Sequence, residues 1–77
     1  MDIRDVFAAN LRRLRHEKGL SQEELADRGN VNRTYISKLE TAATYAGLEV
    51  MAKLARVLKI DPAELLRMPP KRGRRTG

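Results

Sequence analysis

The middle of the chain constrains the fold most, because two short capped helices are predicted there on either side of a tight turn. Residues 21–24 read Ser-Gln-Glu-Glu, a capping box in which the serine hydroxyl and the last glutamate carboxylate each accept from the other's backbone amide. Gly29-Asn30 follows, and both residues tolerate the positive φ that a tight turn requires. Asn32 is then a good N-cap. The pattern predicts one helix over residues 21 to about 28 and a second that runs from Asn32 to Glu40.

Apolar periodicity predicts three more helices. Hydrophobic residues recur every three or four positions over Ile3–Leu14 and again over Leu48–Leu58, which is the spacing of amphipathic helices. Asp61-Pro62-Ala63-Glu64 combines an N-cap, a proline at the first helical position and an acidic first turn, so a short fifth helix begins there. Residues 41–47 have no such pattern and are expected to form a loop. We therefore expect an all-α fold, a compact five-helix bundle over residues 1–68.

The composition excludes several classes of protein. The chain has no cysteine, so neither disulfides nor thiolate metal sites can form. No apolar run approaches the roughly 18 residues of a transmembrane helix, and the short acidic N-terminus does not resemble a signal peptide. A cytoplasmic location is expected. The lone His16 has no partner at ligand spacing, and no Ser, His and carboxylate grouping indicates catalysis, so we expect no metal, no cofactor and no enzyme activity.

The net charge of +6, with a pI of about 10.3, indicates a polyanionic partner. Four of the basic residues lie within 71–77, and without them 12 basic residues face 10 acidic ones. Pro69-Pro70 ends the helical pattern, so residues 69–77 are expected to form a disordered basic tail. Its role as a phosphate arm, a linker or a solubilising end is left open. The distribution of charge within residues 1–68 has to decide whether the partner is nucleic acid.

The two central helices are predicted to pack into a rigid wedge. Helices joined by so short a turn cross at a steep angle, with Leu25 and Ala26 of the first against Ile36 and Leu39 of the second. The second helix of such a wedge can enter the major groove of DNA with its N-terminal end first.

The side chains that point outward from that second helix suit base recognition. They include Arg33, Thr34 and Lys38. Arginine can pair with guanine through two hydrogen bonds, threonine can contact a thymine methyl group, and lysine can reach guanine or phosphate. Exposed residues of these types usually form only a solvated surface, but the capping and turn pattern around them favours contact with DNA.

The same segment resembles a known family. Leu-Ser-Gln-Glu-Glu-Leu-Ala at 20–26 and Val-Asn-Arg-Thr-Tyr-Ile-Ser-Lys-Leu-Glu at 31–40 are similar to the lambda-repressor/Cro-like, XRE-type helix-turn-helix DNA-binding domains. The similarity extends over roughly residues 4–67. The family fold is a compact bundle of five helices, which agrees with the number expected from the periodicity.

The resemblance implies roles for individual residues. Gln22 would contact a phosphate and brace the start of the recognition helix. Arg15 and Glu40 match a structural ion pair between the first and third helices. Apart from the resemblance, a tyrosine such as Tyr35 is more often a core-edge or interface residue than a platform on which bases stack. The full set of candidate DNA contacts is Arg12, Arg13, Gln22, Asn32, Arg33, Thr34, Tyr35, Ser37 and Lys38.

One departure from the family leaves two functions open. Relatives usually carry a glycine and basic residues just after the recognition helix, whereas residues 41–44 here are Thr-Ala-Ala-Thr. Phosphate contacts would then come from Arg12, Arg13 or the tail, or the affinity is lower. The first hypothesis is a transcriptional regulator that binds a palindromic operator in double-stranded DNA as a homodimer, through a surface that the resemblance places at Tyr45–Leu48 and Val57–Met68. The alternative is an antitoxin-type or other protein-interaction module, with a toxin or another protein as partner and DNA binding subordinate.

Overall fold

Four α-helices and one 3-10 helix make up the fold, seen in a computed structural model that describes residues 2–68. The tail expected over residues 69–77 lies outside the described residues. Within the described range every regular element is helical, in agreement with the all-α prediction. In chain order the elements are α1 (Ile3–Glu17), α2 (Gln22–Gly29), α3 (Arg33–Glu40), α4 (Leu48–Leu58) and the 3-10 helix (Pro62–Leu66).

The last element corrects the expected count of five α-helices. Asp61 and Pro62 open it as predicted, with the Asp61 carboxylate accepting from the Ala63 amide at 2.9 Å. It runs for only five residues, however, and its backbone bonds join Glu64 N to Asp61 O at 2.9 Å, which is 3-10 spacing. A helix of only five residues commonly takes this tighter form, because so few hydrogen bonds do not offset the cost of α-helix nucleation.

The predicted caps at the central turn are present. The Ser21 hydroxyl accepts from the Glu24 amide at 2.9 Å, and the Ser21 amide donates to the Glu24 carboxylate at 2.9 Å. Asn30 adopts the left-handed conformation with a φ of 56°, so α2 ends one residue beyond its predicted end. Asn32 caps α3 through its side-chain oxygen, which accepts from an amide two residues on at 2.7 Å.

The core is mainly aliphatic, includes Phe7, and draws on every helix. The predicted contact between α2 and α3 is confirmed, since Leu25, Ala26, Ile36 and Leu39 all belong to one buried cluster. The largest fully buried side chains are Leu11, Leu25, Ile36, Leu39, Leu54, Leu58, Leu65 and Val6.

Asn10 is a buried polar residue that the sequence analysis missed. Its side chain is 4% exposed, and its Nδ2 group donates to the backbone carbonyls of Leu65 at 3.0 Å and Arg67 at 2.9 Å. These bonds satisfy the amide in the interior and fasten the end of the 3-10 helix to α1.

The packing leaves one face of α3 uncovered. Both α1 and α2 pack against α3, while α4 packs against α2 and the 3-10 helix. Between Asp2 and Met68, no helix is both long and apolar enough to cross a membrane.

Candidate nucleic-acid interface

The uncovered face of α3 carries the predicted base-reading residues together. Arg33, Thr34 and Lys38 are exposed and Ser37 is half-buried. Positions three and four apart share a helix face, so these four side chains form a single surface. We call these four residues the reading face. No acidic residue of the described chain pairs with Arg33 or Lys38.

The charge of α3 differs from that of the helix before it. The exposed charged side chains of α2 are mainly acidic, with Glu23, Glu24 and Asp27 against Arg28, whereas those of α3 are only basic. The hydrogen bond from the Ser21 backbone amide holds the pKa of the Glu24 carboxyl below its ordinary value. Of the exposed basic residues of α2 and α3, two lie on the reading face and one, Arg28, lies among the acidic residues of α2.

Asn32 is exposed and stands at the N-terminal end of the reading face. Its Oδ1 atom is engaged by the cap of α3. A DNA contact by this side chain would therefore come from its Nδ2 group, which is a donor.

Tyr35, a predicted DNA contact, has a structural role. It is half-buried against the core, and its hydroxyl donates to the backbone carbonyl of Tyr45 at 2.9 Å. This bond ties the first turn of α3 to the loop that precedes α4. The proton of the Tyr35 hydroxyl is therefore already used in a hydrogen bond within the protein.

The C-terminal end of α3 is held by a buried ion pair. Glu40 is 3% exposed, and its carboxylate accepts from Arg15 Nε at 2.6 Å and from Arg15 Nη2 at 3.0 Å. Arg15 Nη1 also donates to the Leu20 carbonyl at 2.8 Å. This is the pair that the resemblance implied, and its two-bond geometry joins α1 to α3.

Gln22 contacts the same carboxylate. Its Nε2 group donates to Glu40 Oε1 at 3.1 Å, and the residue is half-buried. Gln22 was expected to support the first residues of α3, but in the structure it contacts Glu40, the last residue of that helix. The difference arises because the first residue of α2 lies beside the last residue of α3.

The two arginines that were expected to contact phosphate have different surroundings. Arg12 donates through Nη1 to the backbone carbonyl of Glu40. Both side chains are exposed, and Arg13 lies 3.2 Å from the Glu17 carboxylate and 3.3 Å from Asn10 Oδ1. Arg12 thus contacts α3, whereas Arg13 contacts only its own helix.

A second surface is apolar. Ile3, Tyr45, Leu48, Leu66 and Met68 are exposed, and Leu48 is 79% exposed. The first four of these residues line one cleft, and we call them the apolar face. The Arg4 guanidinium lies 4.8 Å from the centre of the Tyr45 ring, and a shallow cleft between Ile3, Leu48 and Leu66 opens on the same side. Three of the four residues of the apolar face fall within the segments that the resemblance assigns to a dimer surface, and Ile3 was not foreseen.

The family comparison covers most of the described chain. A family model described as helix-turn-helix matches residues 11–65. The chain is similar to the solved structure of the hypothetical transcription factor NHTF from Neisseria, at 40% identity and a TM-score of 0.85, covering 88% of this chain and 78% of that one.

Restriction-modification controller proteins are also similar. The structure of C.AhdI from Aeromonas hydrophila matches at 40% identity and a TM-score of 0.78, covering 80% of this chain and 94% of that one. The control protein C.SmaI from Serratia marcescens is 36% identical over 66 residues, which are 86% of this chain and 79% of that protein.

Proposed function

Since the chain belongs to the XRE-type helix-turn-helix family of DNA-binding transcriptional regulators, we propose that it binds a palindromic operator in double-stranded DNA as a homodimer. The N-terminal end of α3 enters the major groove. The observation that carries this proposal is the reading face, which presents exposed basic and hydroxyl side chains on a helix whose other end is buried.

Each residue of the reading face has a chemical role in the proposal. Arg33 stands in the first turn of α3 and pairs with guanine O6 and N7. Thr34 contacts a thymine methyl group or an acceptor edge, and Lys38, about one turn later, contacts guanine or the adjacent phosphate. Ser37 is half-buried between them and contacts the DNA backbone.

The apolar face provides the dimer surface. One recognition helix reads only a few base pairs, so specific binding needs two half-sites about 34 Å apart on one side of the duplex. A leucine that is 79% exposed, beside an exposed tyrosine and an exposed isoleucine, is typical of a surface that is buried on association. A two-fold dimer buries the same face of both chains.

Replacing Arg33 with alanine tests the reading face. We expect the operator affinity to fall by about 1–3 kcal/mol, while the affinity for random duplex falls much less, because only one generic charge is removed. Arg56→Ala is the matched control, since it removes an exposed arginine from a different helix. Equal losses on operator and random duplex for Arg33→Ala would show that the residue does not read bases.

Replacing Leu48 with glutamate tests the apolar face. Because the side chain is exposed, the variant should retain its helicity but sediment as a monomer and lose operator binding. Lys53→Glu places a negative charge on a different side of the same helix, about 140° round from Leu48, and should leave the dimer intact. A Leu48→Glu variant that remains dimeric would exclude this surface.

A second function is supported by residues 41–44, which contain neither glycine nor a basic residue. In this alternative the apolar face binds a different protein and DNA binding is subordinate. Two results together favour it over the homodimer: a purified chain that is monomeric at micromolar concentration, and a chain without sequence preference on DNA.

A further inference from the structure

The backbone carbonyl of Glu40 is bonded differently from the other carbonyls at the end of α3. The last four carbonyls of a helix have no partner within it. Here the carbonyls of Ser37, Lys38 and Leu39 accept from amides of the loop that follows, at 3.2, 2.9 and 3.2 Å. The carbonyl of Glu40 accepts instead from the Arg12 guanidinium, 28 residues earlier in the sequence.

Two arginines of α1 therefore hold the same residue of α3. Arg12 contacts the main chain of Glu40 and Arg15 contacts its carboxylate. The two arginines are three positions apart and so share a face of α1. Both place positive charge at the negative end of the α3 dipole, which is a favourable arrangement.

We propose that Arg12 is a positioning residue that fixes the orientation of the recognition helix, and that it is not a phosphate contact. This inference rests on the proposed function, in which α3 reads bases. We call Arg12, Arg15 and Glu40 the α3 clamp.

The bond from Arg12 to the Glu40 carbonyl restrains the backbone of α3, which the Arg15–Glu40 ion pair does only indirectly. The carboxylate of a glutamate is joined to its backbone by rotatable bonds, so the Arg15 pair holds the side chain more firmly than the helix. A bond to the carbonyl holds the helix itself. A helix of eight residues is about 12 Å long, so a tilt of about 5° about the clamped end moves the opposite end by about 1 Å. A displacement of that size is sufficient to lengthen and misalign a base contact made by Arg33.

The test uses Arg12→Met, which keeps the aliphatic stem and removes the donor. Arg13→Ala is the control, because it removes a neighbouring arginine whose contacts lie on α1 alone. Amide hydrogen exchange is first measured in the free protein. Arg12→Met should accelerate exchange of the amides at Thr41, Ala42 and Ala43, which close the end of α3, and Arg13→Ala should leave it unchanged.

Binding is then measured on operator and random duplex across a range of salt concentrations. For Arg12→Met we expect about a tenfold loss of operator affinity, the equivalent of one net hydrogen bond to a charged group. Affinity for random duplex should change little. The salt dependence should be unchanged, because the variant makes the same phosphate contacts as the parent.

Three results would overturn the proposal. One is unchanged hydrogen exchange. Another is accelerated exchange with unaltered operator affinity, which would make the contact purely local. The third is a parallel fall in specific and random binding, together with a salt slope that is smaller by about one for each phosphate that Arg12 neutralises. That result would restore Arg12 as a phosphate contact.

The same experiments distinguish a failure of the positioning role of Arg12 from a failure of the proposed function. If Arg33→Ala lowers specificity and Arg12→Met does not, only the positioning role is wrong. If the parent protein has no sequence preference, the proposed function and the positioning role are both wrong.

Discussion

The two ends of α3 are built in opposite ways. At the N-terminal end, Asn32, Arg33 and Thr34 are exposed, and the cap comes from Asn32, the residue immediately before the helix. At the C-terminal end, Glu40 is buried and is contacted by side chains from both α1 and α2. A short helix can present one end to a partner in a defined direction only if its other end is fixed. The contacts remote from DNA are therefore part of the recognition geometry.

The two ends should also respond differently to substitution. A buried ion pair adds little net stability over an apolar pair, but removing one partner leaves an uncompensated buried charge. An exposed cap or reading residue leaves nothing buried and unpaired when it is changed. Substitutions at the C-terminal end should therefore affect folding, and those at the N-terminal end should affect mainly binding.

The largest expected effect is that of Glu40→Ala. It leaves the Arg15 guanidinium buried without its carboxylate, so we expect a loss of about 3–5 kcal/mol in the free energy of unfolding, measured by urea denaturation. Glu17→Ala is the control, because its pair with Arg13 is half-exposed on both sides and should contribute less than about 1 kcal/mol. Similar losses for the two variants would mean that the C-terminal end is not specially anchored.

Asn32→Ala and Asn32→Asp separate the cap from the reading role. Asn32→Ala removes the acceptor of the Thr34 amide and should cost about 1 kcal/mol of unfolding free energy. Asn32→Asp keeps an acceptor at the helix N-terminus and should retain the parent's stability. Its negative charge faces the DNA in the proposed complex, so operator affinity should nevertheless fall. Unchanged operator binding by Asn32→Asp, measured at low salt, would place this end of α3 away from DNA.

Ala42→Gly should stabilise the C-terminal end of α3 and so increase the difference between its two ends. Ala42 follows α3 with a φ of 62°, a conformation that is strained for alanine and free for glycine. We expect a gain of about 0.5–1 kcal/mol in thermal stability, the difference between that strain and the extra unfolded-state entropy of glycine. Ala43→Gly, where φ is not positive, should give no gain. A destabilised Ala42→Gly variant would show that the alanine methyl packs favourably there.

The smallest expected effect is the acid response of the α2 cap. The pKa of Glu24 is held below its ordinary value of 4.5, first by the hydrogen bond from the Ser21 backbone amide. Because the folded-state pKa is depressed, this contribution to stability is present above pH 4.5 and is lost as the pH falls through the lowered folded-state pKa. Glu24→Gln keeps an acceptor without a charge, so a stability-pH curve with a shallower acid limb than the parent's is expected. Identical curves would show that other carboxylates determine the acid response.

The elements that were predictable are those whose determinants are local. Ser21 and Glu24 cap α2, and Asn32 caps α3, as the residue pattern indicated. Each of these bonds joins residues at most three positions apart. Helix periodicity likewise placed the reading residues on one face of α3.

The elements that were missed depend on partners far along the chain. Asn10 lies three residues after Phe7 and one before Leu11, on the apolar side of α1, and this position could have marked it as a buried polar group. Its partners near the 3-10 helix could not be read from the sequence, because they lie 55 and 57 residues away. Gln22 was assigned to the wrong end of α3 for the same reason.

Arg12 and Arg13 show most clearly which features the sequence determines and which depend on the packing of the helices. By itself the sequence determined two adjacent basic residues on an amphipathic helix, and it offered the same interpretation for both. The tertiary structure decided that they differ. Successive helical residues point about 100° apart, so Arg12 meets the end of α3, whereas Arg13 meets Glu17 and Asn10 of its own helix. Local bonds are set by residue type and spacing, but a long side chain finds its partner only after the helices have packed.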